Sequence, residues 1–149
     1  MNVLIDTSVW SLAFRRAGAS SQAEANIVEE LSELIQESRV LLIGPIRQEL
    51  LSGLVDSRQF ESLRRRLRAF ADQTIETSDY ERAAEFSNTC RHVGIQGSHV
   101  DFLICSVAAG DNVSVFTTDT DFKRYAKHLP FALHEPRPKQ MGKSAQRPI

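Results

Sequence analysis

The chain opens on an apolar run, Val3-Leu4-Ile5, that stops at a carboxylate, Asp6, and short apolar runs then alternate with amphipathic stretches along most of its length. Residues 2–5 predict a short buried strand, and the spacing of Val9, Trp10, Ala13 and Phe14 predicts a helix over 7–14. Ala23, Ile27, Leu31, Leu34 and Ile35 recur at helical intervals over 22–37, with five glutamates mostly on other faces. Residues 40–43 predict a second strand, Gly44-Pro45 starts a helix running to about residue 55, and another helix covers 57–71.

Further along, 74–76 predict a short strand, and Ser78 or Asp79 caps a helix to about residue 91. Ser98 opens a very apolar helix over 100–109 that ends near Gly110. Residues 113–117 are a β-branched strand, a short helix follows Asp121, and 131–134 predict a last strand. Strands alternating with helices call for a mostly parallel sheet covered on both faces, because a parallel neighbour needs a crossover connection. Ligands of such sheets bind beyond the carboxyl ends of the strands, where Asp6, Asp119 and Asp121 fall.

At 149 residues and 42% hydrophobic content, one domain over 1–135 is expected, with a proline- and charge-rich tail over 136–149 loosely held. A net charge of −1 lacks the basic balance that by itself marks a nucleic-acid binder, so a phosphate partner must be held by local charge or by metal. Two cysteines, Cys90 and Cys105, sit in apolar stretches and are expected as buried thiols. No segment has the form of a signal peptide or a membrane span, and a cytoplasmic protein is expected.

Four acids stand out, each with an ordinary structural role as the alternative. Asp6 can serve as a helix N-cap. Glu49 falls beside Ile46, Leu50 and Gly53, on or next to the apolar side of its helix, where a carboxylate needs a partner; pairing with Arg47 is the alternative. Asp101 stands three residues after Ser98, the spacing of a capping box, as does Asp121 after Thr118. Asp119, directly past a strand, is better placed to face the cleft, and Thr117 can bond a neighbouring carboxylate or a metal-bound water. Together at one edge such acids repel unless cations compensate, and all-oxygen ligation favours Mg²⁺ or Mn²⁺.

The segments Val3-Leu4-Ile5-Asp6-Thr7-Ser8, Pro45-Ile46-Arg47-Gln48-Glu49-Leu50, Val100-Asp101-Phe102-Leu103-Ile104-Cys105 and Phe116-Thr117-Thr118-Asp119-Thr120-Asp121-Phe122, in that order, resemble the PIN-domain family, in particular VapC-type ribonuclease toxins. The resemblance implies a PIN-like α/β/α sandwich, with Asp6, Glu49, Asp101 and Asp119 as catalytic, metal-holding acids. It makes Thr7, Ser8 and Thr117 supporting hydroxyls and Asp121 a neighbour of lesser role. It further implies RNA as substrate, an antitoxin protein as partner and a homodimer.

On that reading Asp6, Glu49 and Asp101 hold one Mg²⁺ or Mn²⁺ ion that activates water, Asp119 helps place a second, and cleavage leaves a 5′-phosphate and a 3′-hydroxyl. Arg15, Arg16, Arg64, Arg65, Arg66 and Arg68 are candidates for holding the RNA, with a solvated helix face as the alternative for the arginine run. Leu31, Leu34 and Ile35 offer a dimer stripe, although such a stripe is more often core. His92 and His99 are assigned no catalytic role. The rival readings are a PIN-fold binding module without catalysis and a phosphoaspartyl phosphatase or receiver-like domain. The latter lacks its Asp-x-Asp, because Asp6 is followed by Ser8 two positions on.

Overall fold

The computed structural model describes residues 1–15 and 17–138. Four strands, β1 (Val3–Ile5), β2 (Val40–Leu41), β3 (Ser114–Phe116) and β4 (Ala132–Leu133), form one sheet in the order β2-β1-β3-β4. Every pairing is parallel, with Ile5 opposite Phe116 and Leu4 opposite both Leu41 and Val115. Seven helices make the connections: α1 (Thr7–Ala13), α2 (Gln22–Gln36), α3 (Gly44–Ser52), α4 (Ser57–Leu67), α5 (Thr77–His92), α6 (His99–Asp111) and α7 (Asp121–Ala126). The expected α/β/α architecture is therefore present.

The central strands are buried on both faces and read as continuous apolar runs. Helix α6 has no solvated side from Phe102 to Ala108, so its apolar sequence reflects its place against β3 and α5. Ser106, fully buried there, donates to the Asp79 carbonyl at 2.6 Å, and Arg82 reaches across to the Ser106 carbonyl at 3.0 Å. These bonds lock α5 to α6 where two apolar surfaces alone would not set the register.

Three boundaries depart from expectation. Helix α4 stops at Leu67, because the Arg47 guanidinium grips the carbonyls of Leu67 and Phe70 and the carboxylate of Asp72. No strand forms at 74–76; the chain makes one parallel bridge earlier, between Asp72 and Leu42. Helix α5 begins at Thr77, its start closed by Asp79 accepting from the Glu76 N–H at 2.9 Å. Helix α6 passes through Gly110 and closes on Asn112, whose φ of 53° supplies the left-handed turn expected of glycine.

The start of the tail is anchored. Arg137 meets Glu30, Glu33 and Glu37 on α2, and His134 contacts Glu30, which is only 4% exposed. The rest of the tail, from 139 on, and Arg16 lie outside the described residues. Both cysteines are buried and unpaired, and among the described residues no helix is long and apolar enough to cross a membrane.

Leu31 and Leu34 are fully buried and Ile35 packs against the same core, so this stripe is core and is not available as a dimer surface. Leu34→Ala is accordingly expected to lower the unfolding free energy, measured in urea, by about 2–5 kcal/mol. A negligible loss would place the stripe outside the core.

Candidate active site

The parallel register carries the site. Beyond Ile5 and Phe116 the ladder continues one step, the Asp6 N–H donating to the Phe116 carbonyl at 2.9 Å, so that Asp6 and Thr117 emerge side by side. Asp6 occupies the N-cap position of α1, yet its side chain makes no capping bond; only its backbone carbonyl serves the helix, accepting from Val9 and Trp10. Its carboxylate accepts at Oδ2 from the hydroxyls of Ser8, at 2.8 Å, and Thr117, at 2.7 Å. Those hydroxyls in turn accept the N–H groups of Thr118 and Asp119 at 3.0 Å each. The capping alternative for Asp6 thus fails, and Oδ1 is left without a hydrogen bond among the described residues.

Asp101 sits in the first turn of α6, where the Ser98 hydroxyl accepts its N–H at 3.1 Å. Capping fixes its backbone; its carboxylate faces the cleft and accepts from the Tyr125 hydroxyl at 2.9 Å. Burial holds the Asp101 carboxyl above the usual carboxylate range, and the charges of Asp119 and Asp6 push the same way, partly offset by the Tyr125 and Ser98 hydroxyls. Asp119, past the end of β3, accepts the Asp121 N–H at 2.9 Å, and this local turn replaces the expected Thr118–Asp121 capping box. Asp121 pairs with Arg124 at 2.6 Å.

Glu49 corrects an expectation. Its side chain is exposed on α3, and Arg47 is occupied elsewhere, so neither burial nor that ion pair accounts for it. Its partner is the Thr7 hydroxyl, 3.0 Å from Oε2, which ties the start of α1 to α3. Asp6, Asp101 and Asp119 therefore share one electrostatic field, and Glu49 borders it through Thr7.

Tyr125 is the residue sequence reasoning missed. It is fully buried on α7, and burial together with the Asp101 charge drives its hydroxyl far above the usual phenol value, so it remains a donor. Gly97 makes room for it, since a Cβ there would collide with the Tyr125 hydroxyl. The only available signal was a tyrosine one turn beyond Asp121 in an otherwise core-facing position.

Charge is unevenly compensated. Asp72, Asp79, Asp121, Glu24, Glu30, Glu37 and Glu61 all have a cationic partner. Among the described residues Asp6, Glu49, Asp101 and Asp119 have none, and this set of hard oxygen donors fits a divalent cation. The fit is one of donor chemistry and charge: as they stand, no three Asp, Glu, His or Cys side chains among the described residues are gathered closely enough to hold an ion. His92 and His99 are exposed.

The arginines divide. Arg15 is bonded to Glu24 at 2.9 Å, Arg64 pairs with Glu61, Arg66 lies over the Phe14 ring, and Arg65 and Arg68 are exposed.

Fold and site define an α/β/α domain with an uncompensated acidic cluster at the carboxyl edge of a parallel sheet. The family model of the PIN domain matches residues 3–128, and the chain belongs to that family. It is 28% identical over 127 residues to VapC ribonuclease Mb1587 of Mycobacterium bovis and, equally, to ribonuclease VapC11 of Mycobacterium tuberculosis, covering 84% of this chain and 92% of each relative. The fold is similar to that in the crystal structure of FitAcB from Neisseria gonorrhoeae, with a TM-score of 0.72 and 24% identity over 90% of this chain and 97% of that one. VapBC2 from Rickettsia felis, solved bound to a DNA fragment from its promoter, matches with a TM-score of 0.70 and 19% identity over 91% and 98%.

Because folded Asp101 keeps its proton to higher pH than the unfolded chain does, its ionisation costs stability as pH rises from the ordinary carboxylate range through its raised pKa. Asp101→Asn is expected to melt above wild type at neutral pH without metal, the gap closing below about pH 4. A variant melting at or below wild type at neutral pH would show that this charge is not strained.

Proposed function

We propose that this chain is a divalent-metal-dependent endoribonuclease, the toxin of a toxin–antitoxin pair, with residues 1–135 as the catalytic unit. The observation that carries the reading is the set of carboxylates at the sheet's carboxyl edge without cationic partners, with Asp6 clamped by Ser8 and Thr117. The names of the relatives, VapC ribonucleases, support the substrate class and the biological role. An RNA substrate, an antitoxin partner, a homodimer and action in the cytoplasm belong to the same proposal.

Asp6, Glu49, Asp101 and Asp119 would hold Mg²⁺ or Mn²⁺. Bound there, such an ion supplies Lewis-acid activation of water and neutralises charge developing on the phosphate. The protein's own part is positional. Ser8 and Thr117 fix the Asp6 carboxylate, Tyr125 fixes that of Asp101, and Thr7 holds Glu49 beside the start of α1. Fixed ligands lose less freedom on metal binding than mobile ones, and outer hydrogen bonds of this kind are worth about 10–100-fold in affinity or activity. Water attacks phosphorus, the bond from phosphorus to the 3′-oxygen breaks, and that oxygen takes a proton to leave a 3′-hydroxyl and a 5′-phosphate.

A binding module without catalysis draws on the one contrary observation, that the acids are not gathered for ligation. The two readings part in one experiment: wild type, Asp6→Asn and Thr117→Val incubated with end-labelled bacterial tRNA and ribosomal RNA, in Mg²⁺, in Mn²⁺ and in chelator. Wild type is expected to cut only with metal, Asp6→Asn to lose more than about 100-fold, and Thr117→Val about 10–100-fold. Cleavage in chelator, or full activity of Asp6→Asn, refutes the proposal; an inert wild type favours the binding module.

A further inference from the structure

A groove of about 810 Å³ lies between α1, α3 and α4, lined by Ser11, Phe14, Leu50, Leu54, Arg58 and Arg66 among others. It adjoins the acidic cleft. Thr7, Ser11 and Phe14 stand at i, i+4 and i+7, so the Thr7 hydroxyl that holds Glu49 and the groove share one face of α1. Leu50, on its other wall, directly follows Glu49. From the Thr7–Glu49 bridge the groove thus begins roughly 6 Å along α1 and reaches Phe14 at roughly 10 Å.

Two features of the groove point to a nucleotide. The first is a flat aromatic shelf. Trp10, fully buried, stacks beneath Phe14 with ring centroids 5.7 Å apart and planes 11° from parallel, and the Arg66 guanidinium lies 4.5 Å over the Phe14 ring. A guanidinium on an aromatic ring is the pairing that also receives a nucleobase, which stacks on either partner.

The second is charge. Helix α4 carries Arg58, Arg64, Arg65 and Arg66, with Arg68 at its C-cap, against Asp56 and Glu61. Glu61 is paired with Arg64, and the Asp56 carboxylate is engaged as the α4 N-cap, accepting from Gln59 at 2.9 Å. A basic wall beside an acidic cluster gives a phosphate strand somewhere to rest while its scissile phosphate lies over the acids.

We propose that this groove binds an unpaired nucleotide of the RNA substrate, next to the scissile phosphate, with its base stacked on the Phe14–Arg66 shelf and its phosphate against Arg58. The assignment rests on the ribonuclease reading and deepens it: the groove makes the enzyme select single-stranded RNA, because a base paired within a helix cannot present its face to the shelf. The apolar floor of Leu50, Leu54 and Leu63 suits the sugar and base edges.

Trp10 is the only tryptophan in the chain, so its emission reports on the shelf directly. Wild-type protein in chelator, which separates binding from cleavage, is titrated at low ionic strength with hexauridylate, hexaadenylate and a short RNA duplex. The single strands are expected to change Trp10 emission saturably and to bind at least tenfold more tightly than the duplex.

Arg58→Glu at the rim and Ser62→Trp, which plugs the groove, are each expected to weaken single-strand binding at least tenfold at unchanged Tm; affinity for Ser62→Trp, which adds a second tryptophan, is read by anisotropy of labelled RNA. Phe14→Leu should lose both affinity and the emission change. Absence of binding, equal affinity for the duplex, or affinity indifferent to all three substitutions overturns the proposal, and the last result assigns the groove to a protein partner's helix. Cleavage with metal, assayed separately, keeps the two readings distinct: the groove can fail while the nuclease stands, and binding can survive if cleavage is absent.

Discussion

The bonds from Ser8 and Thr117 to the Asp6 carboxylate join the two crossings of the chain on which everything else at the carboxyl edge depends. Asp6 is 8% exposed and has no cationic partner among the described residues, a placement that costs stability unless its oxygens are hydrogen-bonded. The hydroxyls meet that need at Oδ2. They reach it only because β1 and β3 pair in one register; a shift of one residue would turn Thr117 to the opposite face. The same two hydroxyls accept from Thr118 and Asp119, so the loop that carries Asp119 is positioned by the group that secures Asp6.

Around this clamp the fold concentrates negative charge and withholds compensation. Acids elsewhere meet arginine: Asp79 has Arg82, Asp72 has Arg47, and Glu30 has Arg137. At the cleft Asp101 instead meets the fields of Asp119 and Asp6, and the help it receives is neutral, from the Tyr125 and Ser98 hydroxyls. Neutral donors orient a carboxylate without cancelling its charge, which is the arrangement that leaves affinity for a cation. The basic wall of α4 stands just outside, so anion attraction and cation attraction occupy adjacent surfaces.

The strand-to-acid junctions were legible because they are local: an apolar run that ends in a carboxylate puts that carboxylate at a sheet edge in any parallel fold. Contacts between distant segments were not. Glu49 was read as half-buried from its neighbours Ile46 and Leu50, yet it lies on the exposed margin of α3 and meets Thr7, 42 positions away. Tyr125 carried no sign of its bond to Asp101, which exists only once α6 and α7 are packed. The 74–76 strand failed because Arg47, a side chain from another helix, ends α4 early, and no windowed pattern carries that information.

The central claim is that the uncompensated acids form a seat for a divalent cation. Thermal unfolding of the metal-free protein against rising Mn²⁺ tests it without any RNA, because a ligand bound by the folded state raises Tm in proportion to the logarithm of its excess over Kd. The account predicts a steady rise for wild type that is flattened in Asp6→Asn. A Tm indifferent to Mn²⁺, or the same rise in both proteins, would contradict it.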